Sequence, residues 1–290
     1  MRLAVNGCEL FVEVLGPQLV PEGPSMRERP TLVLLHGGPG ADHSIFRPLL
    51  DPLADMAQLL LYDHRGNGRS GASEPAHWNL AQWADDLAAL LHQLGIERPV
   101  IYGASFGGMV AQAFATRHPT QLAALILEST AARGGAFTAQ RVAKFAELGG
   151  PEVEALARRR LVDGDTSEAV YADWLRLCVP LYTRQPLPSE WFARIQGRSA
   201  VTQWFTRPQG EGLHFDLRSA LSVVRCPVLL MGGSDDPMVP IENLHELATA
   251  LAQAPLQVEV FEGCRHILAH DEPVRFFATM RRFLNPGSWT

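Results

Sequence analysis

The sequence has few cysteines and lacks the arrangement of them that a metal site or a disulfide framework requires. The four cysteines are far apart, with no C-x-x-C pair and no histidine at metal-ligand spacing. They are Cys8, Cys178, Cys226 and Cys264. We therefore expect buried free thiols and no bound metal.

Long apolar runs and an excess of basic residues are also missing. No stretch is apolar for the roughly 20 residues of a membrane span, and Arg2, Asn6, Gly7 and Glu9 interrupt the apolar core that a signal peptide needs. Acidic residues outnumber basic ones by 31 to 25, so neither nucleic acid nor an anionic membrane surface is an expected partner. These absences predict a soluble, cytoplasmic protein that acts on a small, uncharged or cationic molecule or on a short peptide, and they leave its oligomeric state open.

Apolar strands alternate with helical segments over much of the chain. Two apolar runs joined at Asn6-Gly7 predict an antiparallel N-terminal hairpin. Residues 16–30 are rich in proline and glycine and predict a surface loop, whereas residues 44–56 predict a helix. From Thr31 onward, buried strands and helices alternate, which is typical of a mostly parallel sheet with right-handed crossovers.

The alternation stops between residues 131 and 212. This stretch is rich in helix formers and aromatic residues, and prolines interrupt it. We therefore expect an α/β core made of residues 1–130 and 213–290, with residues 131–212 forming a helical cap inserted into it.

A Gly-x-Ser-x-Gly motif at residues 103–107 stands between a predicted strand and a predicted helix. In this context the serine occupies a strained turn that exposes its hydroxyl, the geometry of a nucleophile elbow. A serine hydroxyl becomes a good nucleophile only with a base in reach and a third group that orients the base. The motif therefore predicts Ser105 as a nucleophile, and this role requires a base and an orienting group elsewhere in the chain.

Two loops late in the chain supply a candidate acid and a candidate base. Asp235 and Asp236 follow one predicted strand and His266 follows the next, so they lie at carboxyl ends of strands, where parallel sheets gather functional groups. The order serine, aspartate, histidine is that of a nucleophile-elbow triad. We favour Asp236, which begins the turn into the next helix, but Asp235 stays open. We favour His266 over His270, which adjoins a helix start.

Two backbone N–H groups are candidates for an oxyanion hole. Phe106 directly follows the nucleophile, and Gly38 lies in the glycine-rich loop after the first central strand. No Gly-Lys-Ser/Thr follows that loop, so a phosphate loop is not predicted. Farther along, Asp63 and Arg65 predict a turn held by their ion pair, without a catalytic role.

Two motifs carry a resemblance to a known family. His36-Gly37-Gly38-Pro39-Gly40, together with the run Asp63-His64-Arg65-Gly66-Asn67-Gly68-Arg69-Ser70, resembles the proline iminopeptidase-like branch of the alpha/beta-hydrolase superfamily. The resemblance covers nearly the whole chain apart from the insertion. It implies a serine hydrolase without metal or organic cofactor, a helical cap between the sixth and seventh core strands, and Ser105, Asp236 and His266 as the triad.

The chain departs from that branch beside the nucleophile, where the peptidases usually have tryptophan and this sequence has Phe106. Such peptidases also hold the substrate ammonium with cap carboxylates. The candidates here, which we expect to be solvated helix charges, are Glu147, Glu152, Glu154, Glu190 and Glu211.

The expected reaction is acyl transfer on a small ester or amide, with an N-terminal aminopeptidase of the proline iminopeptidase type as one candidate. A carboxylesterase, lactonase or carbon–carbon bond hydrolase is the alternative, because one fold hosts all of these activities. A ligand-binding receptor that retains the triad is the alternative outside the enzymes.

Overall fold

Residues 1–285 of the chain are described here in a computed structural model, and they form a central sheet with helices on both faces. The strands are β1 (Arg2–Val5), β2 (Cys8–Leu15), β3 (Leu19–Glu22), β4 (Ser25–Glu28), β5 (Thr31–Leu35), β6 (Gln58–Tyr62), β7 (Val100–Ala104), β8 (Ala124–Glu128), β9 (Val228–Gly233) and β10 (Leu256–Phe261). The helices are α1 (Leu80–Gln93), α2 (Phe106–Arg117), α3 (Thr138–Leu161), α4 (Glu168–Asp173), α5 (Ser189–Arg194), α6 (Ser199–Thr206), α7 (Glu211–His214), α8 (Glu242–Ala250), α9 (Leu268–Asp271) and α10 (Pro273–Leu284).

Eight strands form one sheet in the order β1-β2-β6-β5-β7-β8-β9-β10. The pairs β1/β2 and β2/β6 are antiparallel, and all other neighbours in this sheet are parallel. The predicted mostly parallel sheet with an antiparallel N-terminal hairpin is therefore confirmed. Because the strands from β5 to β10 run in one direction, the loops that follow them meet at one edge of the sheet.

The central strand β5 shows why these apolar runs become buried strands. All five of its residues are buried, and alternate side chains enter different cores: Leu32 and Leu34 on one face, Val33 and Leu35 on the other. A strand covered by helices on both faces has no need of polar residues, which explains its continuous apolar run.

Two local predictions were wrong. Residues 16–30, predicted as a loop, contain the hairpin of β3 and β4, whose side chains are almost all exposed and therefore show no apolar alternation. Residues 44–56, predicted as a helix, form two 3₁₀ turns, His43–Phe46 and Asp51–Asp55. Pro48 lies between these turns, and a proline cannot donate the backbone hydrogen bond that a continuous helix needs there.

Helices α3 to α7 all fall between β8 and β9, and all of them except the last two residues of α7 lie within residues 131–212. Helix α3 is kinked at Gly150, which has a φ of 76° and precedes Pro151. The segment has an apolar cluster of its own, which includes Phe145, Val170 and Trp174. On this ground we propose that residues 131–212 form a cap on a core made of the rest of the chain.

The two ends of this segment are joined. Gly134 N–H donates to Phe215 O over 2.8 Å, and Leu217 N–H donates to Ala132 O over 2.9 Å. The insertion therefore leaves the core and returns to it at one place.

Two further predictions concern the chain as a whole. No helix within residues 1–285 combines the length and the apolar character needed to cross a membrane. All four cysteines are free; three are buried, and Cys226 is partly exposed, which corrects the expectation for that thiol.

Candidate active site

Ser105 lies at the turn from β7 into α2. Its backbone has a φ of 55° and a ψ of −118°, a strained conformation for a residue with a side chain. The turn is possible because glycine flanks it closely: a Cβ on Gly107 would lie 1.9 Å from Leu35 O. The serine N–H donates to Glu128 O over 2.9 Å, which ties the turn to the end of β8.

His266 and Asp236 lie in contact with each other. His266 Nδ1 donates to Asp236 Oδ2 over 2.7 Å, and the aspartate side chain is fully buried. The other oxygen, Asp236 Oδ1, accepts from the N–H groups of Met238 and Val239 over 2.8 and 2.9 Å. Because Nδ1 carries the proton, Nε2 of the neutral imidazole is left as the basic nitrogen.

The alternative acid and base lie elsewhere. Asp235 is 47% exposed, and its Oδ1 is 3.7 Å from Lys144 Nζ at the protein surface. His270 has Asp271 as its acidic neighbour, with 3.8 Å between Nδ1 and Oδ1. Within residues 1–285, no hydrogen bond joins Asp235 or His270 to Asp236 or His266.

The candidate oxyanion donors are Phe106, next to Ser105 in the chain, and Gly38, in the loop after β5. Phe106 is the first residue of α2, where N–H groups have no carbonyl partner within the helix. Its ring points into the core and packs edge-on against Trp83 at 4.9 Å and Phe205 at 5.3 Å, so only its backbone serves the site. Gly38 has a φ of 128°, a value that favours glycine, and lines the same cavity as Ser105.

His36 holds the loop that carries Gly38. Its Nδ1 donates to Gly37 O over 2.8 Å, and its Nε2 accepts from His64 N–H over 3.1 Å. Both imidazoles are fully buried, and burial lowers the pKa of each. The neutral ring of His36 holds the loop through hydrogen bonds, whereas the ring of His64 packs without a hydrogen-bond partner within residues 1–285.

The Asp63–Arg65 pair predicted from the sequence does not form. Arg65 instead makes a buried two-pronged contact with Asp86, at 2.7 and 2.8 Å. Asp63 accepts from His43 Nδ1 over 2.6 Å and from Arg69 N–H over 2.7 Å. Arg65 binds Asp86 because two N–H groups of its guanidinium can face the two oxygens of that carboxylate at the same time.

The sequence did not single out Glu128, the last residue of β8. It is buried, accepts from the Tyr102 hydroxyl, and also accepts from Leu268 N–H over 3.1 Å. Leu268 lies two residues after His266, so the carboxyl fixes the loop of the candidate base. Burial raises the pKa of Glu128 to about 7. The only hint of this role in the sequence was that Glu128 directly follows an apolar run.

A cavity of about 530 Å³ opens at Ser105 and His266. Most of its lining is apolar and aromatic, and the segment 131–212 supplies much of it. Its charged lining groups within residues 1–285, apart from His266, are Glu128 and Arg160. The aromatic side chains from that segment are Tyr171, Trp174, Tyr182, Trp191 and Phe192.

None of the five candidate cap carboxylates lines this cavity. Glu147 and Glu152 are 63% and 74% exposed, and Glu154 pairs with Arg158 on its own helix. Glu190 is exposed as well. Glu211 differs from the expected solvated charge, because its Oε2 accepts from Leu80 N–H over 2.8 Å at the start of α1.

Comparison with known proteins agrees with this geometry. Residues 30–273 match the family model described as alpha/beta hydrolase fold. The chain is 29% identical to the carbamate hydrolase RutD of Caulobacter sp. strain K31 over 87% of this chain and 90% of that protein. It is 27% identical to the proline iminopeptidase of Lactobacillus helveticus, covering 98% and 97%. The crystal structure of VinJ superposes with a TM-score of 0.79 at 23% identity, covering 100% and 98%.

The sheet, the elbow and the matched family model define one class of protein. The chain belongs to the alpha/beta hydrolase fold family and is an enzyme of that family, similar to proline iminopeptidases.

Proposed function

We propose that the chain is a serine hydrolase that cleaves a small ester or amide through an acyl-enzyme. The observation that carries this proposal is the 2.7 Å contact between His266 Nδ1 and Asp236 Oδ2, at a cavity that Ser105 also lines from its strained turn. Nucleophile, base and orienting acid are the three parts that the reaction needs.

In the first half-reaction, His266 Nε2 takes the proton of Ser105 Oγ as that oxygen bonds to the substrate carbonyl carbon. Asp236 stabilises the resulting imidazolium, and the N–H groups of Gly38 and Phe106 hold the oxyanion. His266 then gives the proton to the leaving group as its bond to the carbonyl carbon breaks. Water, deprotonated by the same imidazole, attacks the acyl-enzyme and releases the acid and the free serine.

Among the substrates that this reaction admits, the lining of the cavity favours an ester over an N-terminal peptide bond. A free substrate ammonium requires a carboxylate partner, and none of the candidate cap carboxylates lines the cavity. Glu128 does, but its two oxygens are engaged by Tyr102 and Leu268. The peptidases usually have tryptophan where this chain has Phe106, and this difference also favours an ester substrate.

Labelling with a fluorophosphonate tests the nucleophile. We expect one covalent adduct on Ser105, no adduct in Ser105→Ala, and a loss of ester turnover of at least about 10³-fold in that variant. Undiminished turnover in Ser105→Ala would overturn the proposal. A clean label on Ser105 without turnover of any ester or amide would favour the receptor alternative.

The substrate class is tested by comparing a prolyl or alanyl arylamide with a short acyl aryl ester, each with the same leaving group where possible. We expect faster cleavage of the ester and no effect of blocking the amine of the amide. Amide cleavage that depends on the free amine would instead establish an N-terminal aminopeptidase.

A further inference from the structure

Arg160, near the end of α3, is a cation that has no anionic partner in the part of the chain that the structure describes. Its guanidinium lies over the ring of Trp174 at 4.7 Å and near that of Tyr171 at 5.8 Å. Within residues 1–285 it makes no ion pair, and it lines the cavity of the candidate active site. The two preceding arginines differ, since Arg158 pairs with Glu154 at 3.0 Å and Arg159 with an aspartate at 2.7 Å.

A second arginine, Arg141 of α3, lies near Arg160 and increases the positive charge there. Its Nη2 contacts Met238 Sδ at 3.1 Å, while its buried Nε has no hydrogen-bond partner within residues 1–285. Burial lowers the pKa of Arg141 to about 10, and the charge of Arg160 acts in the same direction. The carboxylate that acts on Arg141 electrostatically is Asp236, which already holds His266.

Arg160 lines the same cavity as the candidate base. Both guanidiniums act electrostatically on Tyr182, whose ring packs on the imidazole of His266 at 4.9 Å between ring centroids. The carbonyl oxygen of Tyr182 also accepts from His266 N–H over 2.9 Å. An anion held by Arg160 would therefore occupy the cap side of the same cavity in which the acyl group reacts.

Charges removed from water are normally paired, because an unpaired buried charge is costly. Arg160 is partly buried; stacking on aromatic rings compensates its guanidinium in part, but its N–H fork has no acceptor within residues 1–285. That fork matches the two oxygens of a carboxylate. One guanidinium at the wall of a mostly apolar cavity fits one monoanion.

We propose that Arg160 binds a carboxylate of the substrate, so that the enzyme hydrolyses an acyl compound that also carries a free acid group. This inference rests on the proposed serine hydrolase function and names its substrate class, an anion where the net charge of the chain had predicted an uncharged or cationic ligand. Arg141 does not line the cavity, so it contributes positive potential without touching the substrate.

The kinetic test uses ester pairs that differ in one negative charge. The acyl-side pair is p-nitrophenyl hydrogen glutarate and its methyl ester; the leaving-group pair is 4-acetoxybenzoate and its methyl ester. We expect kcat/KM of the wild-type enzyme to favour the charged member of one pair by about 10- to 100-fold, the effect of a hydrogen bond between charged groups. The pair that shows this preference identifies the side of the substrate that carries the acid.

The variants are Arg160→Gln and Arg160→Lys, with Arg158→Gln as the matched control on the exposed side of the same helix. Arg160→Gln should lower the ratio of kcat/KM for the charged ester to kcat/KM for the neutral ester to about one, while Arg160→Lys should keep part of the preference. Arg158→Gln should leave this ratio unchanged. Equal losses on charged and neutral esters would show a purely structural arginine and overturn the proposal, as would a wild-type enzyme without charge preference.

A binding measurement separates this proposal from the proposed chemistry. Benzoate and benzamide are titrated into Ser105→Ala, with the fluorescence of tryptophans such as Trp174 as the signal. Benzoate should bind at least about 10-fold more tightly than benzamide, and Arg160→Gln should remove the difference. If the wild-type protein turned over no ester, that binding result would still support the carboxylate site and would refute only the hydrolase. Equal binding of the two ligands in an active hydrolase would refute only the carboxylate site.

Discussion

The buried carboxyl of Glu128 gives the protein a stability that falls as the pH rises. In the unfolded chain this group ionises near its ordinary pKa of 4.5, whereas burial raises its pKa to about 7 in the folded protein. Between these values the folded state binds a proton that the unfolded state has lost. Its stabilising contribution is therefore complete below about pH 4.5 and is lost as the pH rises through 7.

The size of the effect follows from the two pKa values. One pKa unit corresponds to about 1.4 kcal/mol, so the step from 4.5 to about 7 amounts to about 3 kcal/mol, most of it lost between pH 5 and pH 8. Glu128→Gln removes the titration and keeps the side-chain shape. The amide oxygen accepts from Leu268 N–H, and the amide nitrogen faces the Tyr102 hydroxyl.

The assay is urea unfolding of wild type and Glu128→Gln at pH 5, 6, 7 and 8. We expect the unfolding free energy of wild type, relative to the variant, to decrease by about 2 to 3 kcal/mol across that range. Other titrating groups are common to both proteins and cancel in the difference. Glu9→Gln, at an exposed carboxylate, should give a difference within about 0.5 kcal/mol at every pH. The reasoning would be refuted if the unfolding free energy of wild type, relative to Glu128→Gln, did not change with pH or increased as the pH rises.

Two further substitutions test the site and the turn. Asp236→Asn should lower kcat/KM by about 10³- to 10⁴-fold, because the amide favours the wrong imidazole tautomer; Asp235→Asn should stay within about 3-fold, and equal losses would point to the other aspartate. Gly107→Ala should destabilise the fold by about 4 kcal/mol or more, since its Cβ would meet Leu35 O at 1.9 Å. Gly232→Ala, whose nearest neighbour would be 3.6 Å away, should keep its melting temperature within a few degrees; similar thermal unfolding of both variants would contradict the packing argument.

The parts of the fold that could be predicted are those in which burial alone decides the pattern. A strand with both faces covered is a continuous apolar run, and β5 and β7 could be recognised on that basis. The exposed hairpin β3–β4 has no buried face, so its sequence resembles that of a loop. The 3₁₀ turns after β5 depend on prolines within a helical pattern, which the periodicity alone does not reveal.

The candidate site divides in the same way. Groups that directly follow a buried strand, such as Ser105 and His266, could be placed because parallel strands bring their carboxyl ends together. Arg160 could not, since it stands in a run of three arginines with nothing in the sequence to separate them. Successive residues of a helix point about 100° apart, so the packing of α3 decides which arginine meets the cavity. The partner of Arg65 likewise depended on tertiary packing, which brought Asp86 within reach.

The joined ends of the insertion have a consequence for how this enzyme could be altered. Because Ala132 and Leu217 are already hydrogen-bonded like opposite residues of a hairpin, a tight turn could connect them in place of the residues between. The strand ends that carry Ser105, Asp236 and His266 lie outside the exchanged part. We therefore propose that the helical segment is an exchangeable module. A transplanted segment would bring its own wall of the cavity, with or without a cation at the position of Arg160.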